Sequence, residues 1–373
     1  MSDIIKTQRS LATKAEHNPL HQFDHLYRLI CREDWIRAAL KSVLANKGAK
    51  TPGIDGVTKK ELASNTAKDE FVSKLQAELR SKQFKPKPVR RVYIPKANGK
   101  RRPLGIATLR DRVVQMLLKM ALEPIWESDF LNCSNGFRPK RRTQDCIALL
   151  DSYINKRNKY FWVVEGDIKG AFDNIHHDIL LKFVAKRVAD KRLLKLIGCF
   201  LKAGMMQGSL FHRTESGTPQ GAICSPLLAN IYLHQLDMFW WNKYGSLNRK
   251  QKEKRRTQRL GNCALIRYAD DWLLLTNGEK EEAYRLREEF QSFLKEELKL
   301  ELNVEKTRVT HVNNGFDFLG FHVRRYVSAH DKPKVLVTPT EEAKKRLKAK
   351  VKEMSKRKRF KDSPLLKFTA LNA

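Results

Sequence analysis

Leu265-Ile-Arg-Tyr-Ala-Asp-Asp-Trp-Leu-Leu-Leu275 sets two adjacent carboxylates, Asp270 and Asp271, between two apolar runs. Each run has the length and alternation of a buried strand, so the segment predicts a hairpin with both acids near its turn. A carboxylate desolvated without a partner either neutralises itself or attracts a cation, and a divalent metal ion is the natural partner. The competing reading is an exposed hairpin tip that happens to carry two acids, and the short motif alone does not exclude it.

A companion lies upstream in Phe161-Trp-Val-Val-Glu-Gly-Asp-Ile-Lys-Gly-Ala-Phe-Asp173, where another apolar strand ends on an acid, Asp167, and runs into a glycine-containing turn. Mg²⁺ prefers oxygen ligands and is commonly held by one or two carboxylates, water and substrate phosphates, which Asp167 and Asp270 would supply from adjacent strand ends. Two such ions clamp the attacking and leaving oxygens of a phosphoryl transfer. In the same segment, Asp173 or Asn174 is expected to cap the next helix.

Composition points to the phosphate-bearing partner. Lys and Arg number 74 against 41 Asp and Glu, a formal net charge of +33. Such a surface binds polyanions, and nucleic acid above all, because each neutralised backbone phosphate releases condensed counterions. Anionic membrane is the rival polyanion, but no apolar run approaches the roughly 20 residues needed to span a bilayer. Met1-Ser-Asp-Ile-Ile-Lys6 has no basic start and apolar core, so secretion is not expected and the chain stays in the cytoplasm or an organelle. The six cysteines are scattered without zinc spacing, and are expected to be reduced and structural. His176 and His177 are read as helix-start residues rather than metal ligands.

A hydrophobic content of 41% over 373 residues supports a sizeable core in two or three lobes. Helices are expected over residues 26–45, 71–83, 108–123, from Thr143 to the basic stretch at 156–159, and over 178–188, 191–203 and 279–298. A basic hairpin is expected over 89–105, turning at Asn98-Gly99, and a shorter one over 209–214. Ser225 and Pro226 mark a further helix start, with Ser225 as cap. Arg249 to Arg259 carries seven Lys or Arg against one Glu and reads as a solvated or phosphate-contacting loop. Strands follow over 316–323, then a basic helix over 341–358.

The serial order of acid strand, Gly217-Thr-Pro-Gln-Gly221 loop with its helix, and Tyr268-Ala-Asp-Asp271 hairpin resembles the reverse transcriptase family, specifically its group II intron branch. The resemblance spans about residues 26–325. It includes Ile94-Pro-Lys-Ala-Asn-Gly-Lys-Arg-Arg-Pro-Leu-Gly105, Ser134-Asn-Gly-Phe-Arg-Pro139, Ser225-Pro-Leu-Leu-Ala-Asn230, Asn303-Val-Glu-Lys-Thr307 and Phe318-Leu-Gly-Phe321. It implies an α+β right-hand polymerase fold with an antiparallel-sheet palm backed by helices, fingers before it and a helical thumb after it. The corresponding divisions are an amino-terminal extension over 1–60, fingers with part of the palm over 61–165, the palm over 166–335 with a basic insert at 243–260, and the start of a thumb over 336–373. Relatives continue further with thumb helices, so the thumb is expected to be incomplete here.

Residue by residue, the resemblance implies that Asp167, Asp270 and the Ile168 carbonyl hold two Mg²⁺, with Mn²⁺ as a possible substitute and Asp271 supporting the site. Lys96 and Arg102 would close over the triphosphate, the amides of Lys169, Gly170 and Ala171 would approach its oxygens, and Lys306 would donate a proton to pyrophosphate. Phe172 would block a ribose 2′-hydroxyl, Gln220 would contact nucleotide or template, and Phe318, Leu319 and Gly320 would grip the primer end. The implied partners are an RNA template, a DNA or RNA primer, deoxynucleoside triphosphates and a group II intron RNA bound as a ribonucleoprotein. The alternatives are a splicing cofactor that binds RNA without polymerising, and an RNA-templated RNA polymerase.

Overall fold

The computed structural model describes residues 2–95, 99, 101–155, 160–207, 210–212, 216–217, 221–303, 305–327 and 333–355. The strands are β1 (Val89–Pro95), β2 (Arg101–Ile106), β3 (Trp162–Asp167), β4 (Met205–Gln207), β5 (Leu210–His212), β6 (Cys263–Tyr268), β7 (Asp271–Thr276), β8 (Arg308–His311), β9 (Phe316–Phe318), β10 (Phe321–Val327) and β11 (Pro333–Pro339). They form three sheets, ordered β2-β1-β4-β5, β6-β7-β3-β8 and β11-β10-β9. With the helices between them, the chain is a mixed α+β protein, as the sequence predicts.

The central sheet, β6-β7-β3-β8, is antiparallel throughout. Its strands read as nearly continuous apolar runs because both faces are covered. Trp272 and Leu274 of β7, Leu265 of β6 and Val164 of β3 pack into a helical core with Leu286, Phe290 and Leu294 of helix Lys280–Glu297 and with helix Ser225–Trp240. The alternate residues Leu273, Leu275, Ala264, Ile266 and Val163 meet Cys146, Leu150 and Ile154 of helix Thr143–Asn155, together with Phe316, Phe318 and Val323 of the β9–β11 sheet. Every second side chain thus belongs to a different core, which fixes the register of the strands and of the acids at their ends. Gly166 of β3 lies under the Trp272 ring, where a Cβ would come within 2.1 Å of the indole.

The β1–β2 hairpin forms as expected, with Pro95 opposite Arg101, but β1 also pairs in parallel with β4. The short hairpin expected over 209–214 begins earlier, at Met205, and pairs β4 with β5. The helix expected over 26–45 is broken into Leu26–Ile30 and Glu33–Ala45, and the one expected from Phe71 starts at Asn65 because the Ser64 side chain accepts from the Ala67 amide. Helix Leu109–Asp129 is capped by Thr108 and runs past its internal Pro124. Neither Asp173 nor Asn174 caps the next helix; His176 does so by backbone alone, and Asn174 turns back to donate to the Lys169 carbonyl. Likewise Cys224, not Ser225, occupies the cap before Ser225–Trp240. The basic stretch expected as a loop contains a helix, Arg249–Thr257, closed by an Asn248/Gln251 capping box.

The six cysteines are free. Among the described residues, no helix is long and apolar enough to cross a membrane.

Candidate active site

The β3–β7 register places Asp167 directly opposite Asp271. Asp270 lies one residue earlier, in the two-residue turn joining β6 to β7, where Ala269 takes a left-handed φ of 59°. Asp271 shares a hollow of about 310 Å³ with Asp167, Lys306, Arg308, Asp317 and Phe318. Asp270 opens on the other side, into a small apolar hollow with Phe137, Ala171 and Phe172. Burial raises the Asp271 carboxyl to about 6, and repulsion from Asp270 and then Asp167 adds to it. The Asp270 carboxyl is also raised, by burial first and by Asp167 next, while Arg102 pulls it back down. The acids therefore feel one another across the strand ends, and Arg102 on the exposed β2 hairpin reaches the same field.

Asp167 is held from below. Its Oδ2 accepts from Asn303 Nδ2 at 3.1 Å and from the Lys306 ammonium at 2.9 Å, and its backbone carbonyl accepts from the Asn303 amide. The Ile168 backbone bridges to Leu302. Asn303 and Lys306 thus bring an amide and a cation to the first acid. After Ile168, Gly170 turns at φ 55° and its carbonyl accepts from the Asp173 and Asn174 amides. Lys169 is exposed beside Glu301, Ala171 is buried, and Phe172 is half-buried against the helical core. Phe318 is buried on the Asp167–Asp271 side, and Leu319 and Gly320, both at positive φ, turn the chain into β10. Lys96 and Gln220 lie outside the described residues.

These oxygens suit a hard divalent cation in kind: three carboxylates repel one another at the edge of a buried sheet, and one already takes a cationic N–H donor. Among the described residues, however, no group of three or more His, Cys, Asp or Glu side chains is gathered tightly enough to hold a metal ion. The aspartates are neighbours rather than a ready-made cage.

What holds the turn in place is a residue that sequence reasoning missed. Arg267 is fully buried in β6, and all five of its N–H donors are used. Nε and Nη2 form a two-pronged pair with Asp237 at 2.7 and 2.6 Å; Nη1 donates to Asn230 Oδ1 at 3.0 Å and to the Ala269 carbonyl at 2.9 Å; Nη2 also donates to Ser134 Oγ at 2.7 Å. One guanidinium therefore ties the turn between β6 and β7 to Ser134-Asn-Gly-Phe-Arg-Pro139 and to helix Ser225–Trp240. Asn230 Nδ2 in turn donates to the Gly136 carbonyl. A Cβ on Gly136 would fall 2.2 Å from the Ala269 amide, so only glycine lets this loop lie against the turn. The available signal was a lone Arg inside an apolar strand, matched by a lone Asp inside an apolar helix, since a charge so placed needs a partner.

Comparison with known proteins identifies the family. A model of the family described as reverse transcriptase (RNA-dependent DNA polymerase) matches residues 94–323. Protein YkfC of Escherichia coli (strain K12) is 40% identical over 358 residues, covering 91% of this chain and 93% of that protein. Group II intron-encoded protein LtrA of Lactococcus lactis subsp. cremoris is 34% identical over 370 residues, covering 87% of this chain but 60% of the longer relative. Nuclear intron maturase 1, mitochondrial, of Arabidopsis thaliana is 24% identical over 299 residues, covering 58% and 41%.

Proposed function

The chain belongs to the reverse transcriptase family, in its group II intron-encoded branch, and from that membership we propose that its aspartates extend a primer 3′-hydroxyl with deoxynucleotides copied from an RNA template. The observation that carries the proposal is the pairing of Asp167 with Asp271 one residue from Asp270, within reach of Arg102. In this reading the central sheet is the palm, the β2-β1-β4-β5 sheet belongs to the fingers, and helix Glu341–Met354 begins the thumb, with the divisions near residues 60, 165 and 335.

The family works with divalent metal ions, and here Asp167, Asp270 and the Ile168 carbonyl would hold them, as two Mg²⁺ or, as substitutes, Mn²⁺. Bound there, such ions supply the charge that lowers the pKa of the 3′-hydroxyl and offsets that of the triphosphate and departing pyrophosphate. Asp271 supports the site from across the strand pair. Arg102 and, from the adjoining turn, Lys96 hold the triphosphate, Arg102 with its planar fork. The Lys169 amide is already taken, donating to the Glu301 carbonyl at 2.9 Å, which leaves the amides of Gly170 and Ala171 to face phosphate oxygens, while Gln220 orients nucleotide or template. Lys306, which donates to Asp167 at 2.9 Å, gives a proton to pyrophosphate as Asp167 turns to other partners. Phe172 excludes the ribose 2′-hydroxyl, and the Phe318-Leu-Gly320 turn grips the primer end.

RNA and other nucleic acids are the substrates of this family, and the excess of Lys and Arg suits both a template and a group II intron RNA held as a ribonucleoprotein partner. A maturase role in splicing is the natural second activity, given a relative named as an intron maturase and another as a group II intron-encoded protein. The test is primer extension on an RNA template with Mg²⁺ and deoxynucleotides. Wild type extends and Asp270→Asn does not, whereas wild type that retains RNA without extending it would identify a splicing cofactor. Efficient use of ribonucleotides by wild type would identify an RNA polymerase.

A further inference from the structure

Phe137 is the only Phe, Tyr or Trp with a left-handed backbone among the described residues, at φ 59°. A bulky side chain in that conformation is strained, and such strain persists only where the surroundings enforce it. Here they do. On one side Gly136 is pressed against the catalytic turn and its carbonyl takes the Asn230 amide at 2.8 Å. On the other side the buried Arg138 guanidinium donates to the Leu131 and Ser134 carbonyls, each at 2.8 Å, and pairs with Glu127 at 3.0 Å. The residue caught between these anchors buries little itself, since its ring is 50% exposed. Core packing therefore does not account for the aromatic side chain. The ring instead meets Phe172 edge to face, with centroids 6.1 Å apart and planes at 80°, and both rings line the hollow that contains Asp270.

We propose that Phe137 is a specificity-determining residue for the incoming nucleotide, fixing the plane of the Phe172 ring so that it rejects a ribose and accepts a deoxyribose. The proposal rests on the reading of Phe172 as the sugar gate. An edge-to-face partner narrows the orientations open to a half-buried ring, and a gate that tilts no longer discriminates by one oxygen atom. The rigid Ser134–Pro139 loop thereby connects the catalytic turn to substrate selection.

The experiment compares incorporation of ribonucleotides and deoxynucleotides, as the ratio of kcat/KM values, in wild type, Phe137→Gly, Phe137→Tyr and Phe172→Ala, alongside the thermal midpoint of each protein. Phe137→Gly relieves the backbone strain, so its midpoint should equal or exceed that of wild type, while its relative use of ribonucleotides rises about three- to tenfold. Phe137→Tyr keeps the ring and should keep the wild-type ratio. A merely structural role would show the reverse, a lowered midpoint with an unchanged ratio. If Phe172→Ala relaxes the ratio and Phe137→Gly leaves it unmoved, Phe137 has no part in selection and the gate stands. If neither substitution moves it, the gate assignment and this proposal fall together.

Discussion

The central sheet and the β2-β1-β4-β5 sheet are both four-stranded, yet they are built on opposite principles. The first buries both faces, so Trp272, Leu273, Leu274 and Leu275 are each at most 1% exposed and the acids at its end sit on a platform that cannot shift without disturbing two cores. The second leaves large apolar residues in the open, with Tyr93 44%, Ile94 47%, Leu210 67% and Phe211 56% exposed. Its β1–β2 hairpin is rich in arginine. The contrast separates two demands of the proposed chemistry. Reacting groups need fixed positions, whereas a surface that closes over a charged substrate must be free to move and be stabilised by that substrate.

Five substitutions sharpen or break that contrast. Asp270→Asn should lower single-turnover primer extension by on the order of a thousandfold or more, with a denaturant midpoint equal to or above that of wild type because burial and Asp167 disfavour the ionised carboxyl; a variant retaining a tenth of wild-type activity would show that the platform is not the reacting surface. Trp272→Ala should cost about 3–5 kcal/mol in denaturant unfolding, because the ring fills the space over Gly166 and packs against Phe290. Tyr93→Ala on the open sheet should stay within about 0.5 kcal/mol, and equal losses at the two positions would erase the distinction.

Acid should weaken the platform through His234, a buried ring wedged against Trp126 and Phe130. Burial lowers it from 6.5 to about 4, with Asp237 opposing the shift. The native state thus holds a neutral imidazole where the unfolded chain takes up a proton. The stability it contributes is complete above pH 6.5 and is lost as pH falls through 4, a change of about 3 kcal/mol. His234→Phe should flatten that part of the pH–stability curve, and a curve of unchanged slope would remove His234 from the account. A smaller effect on activity belongs to the open sheet: Arg102→Ala should raise the KM for deoxynucleotides about tenfold, as expected for one lost charge-assisted contact, with little change in kcat.

The parts of the molecule legible in the sequence are those whose physics is local. Unbroken apolar runs ending in acids identified β3, β6 and β7, and Thr108, Thr143 and Pro226 marked helix starts within a residue of where they occur. The family resemblance selected the aspartates, and the structure sets them side by side. Non-local features were invisible. Nothing near Val89 announces its parallel pairing with Met205, and nothing near Phe137 announces its backbone strain. Arg267 was in plain view yet passed over, since a lone Arg among apolar residues reveals its need for a partner but not which of many acids meets it. The Arg249–Thr257 helix was misread because charge density outweighed the Asn248/Gln251 cap that was there to be seen.

The Arg267 guanidinium takes one of its acceptors, Ser134, from 133 positions earlier in the chain and others from residues 230 and 237. Drawing such distant segments together before any of these bonds can form carries a loop-closure cost, so assembly of this knot comes late. During synthesis the ribosome must therefore release everything through residue 267 before the turn between β6 and β7 acquires its shape, and a nascent chain short of that point lacks Asp270 and Asp271 altogether.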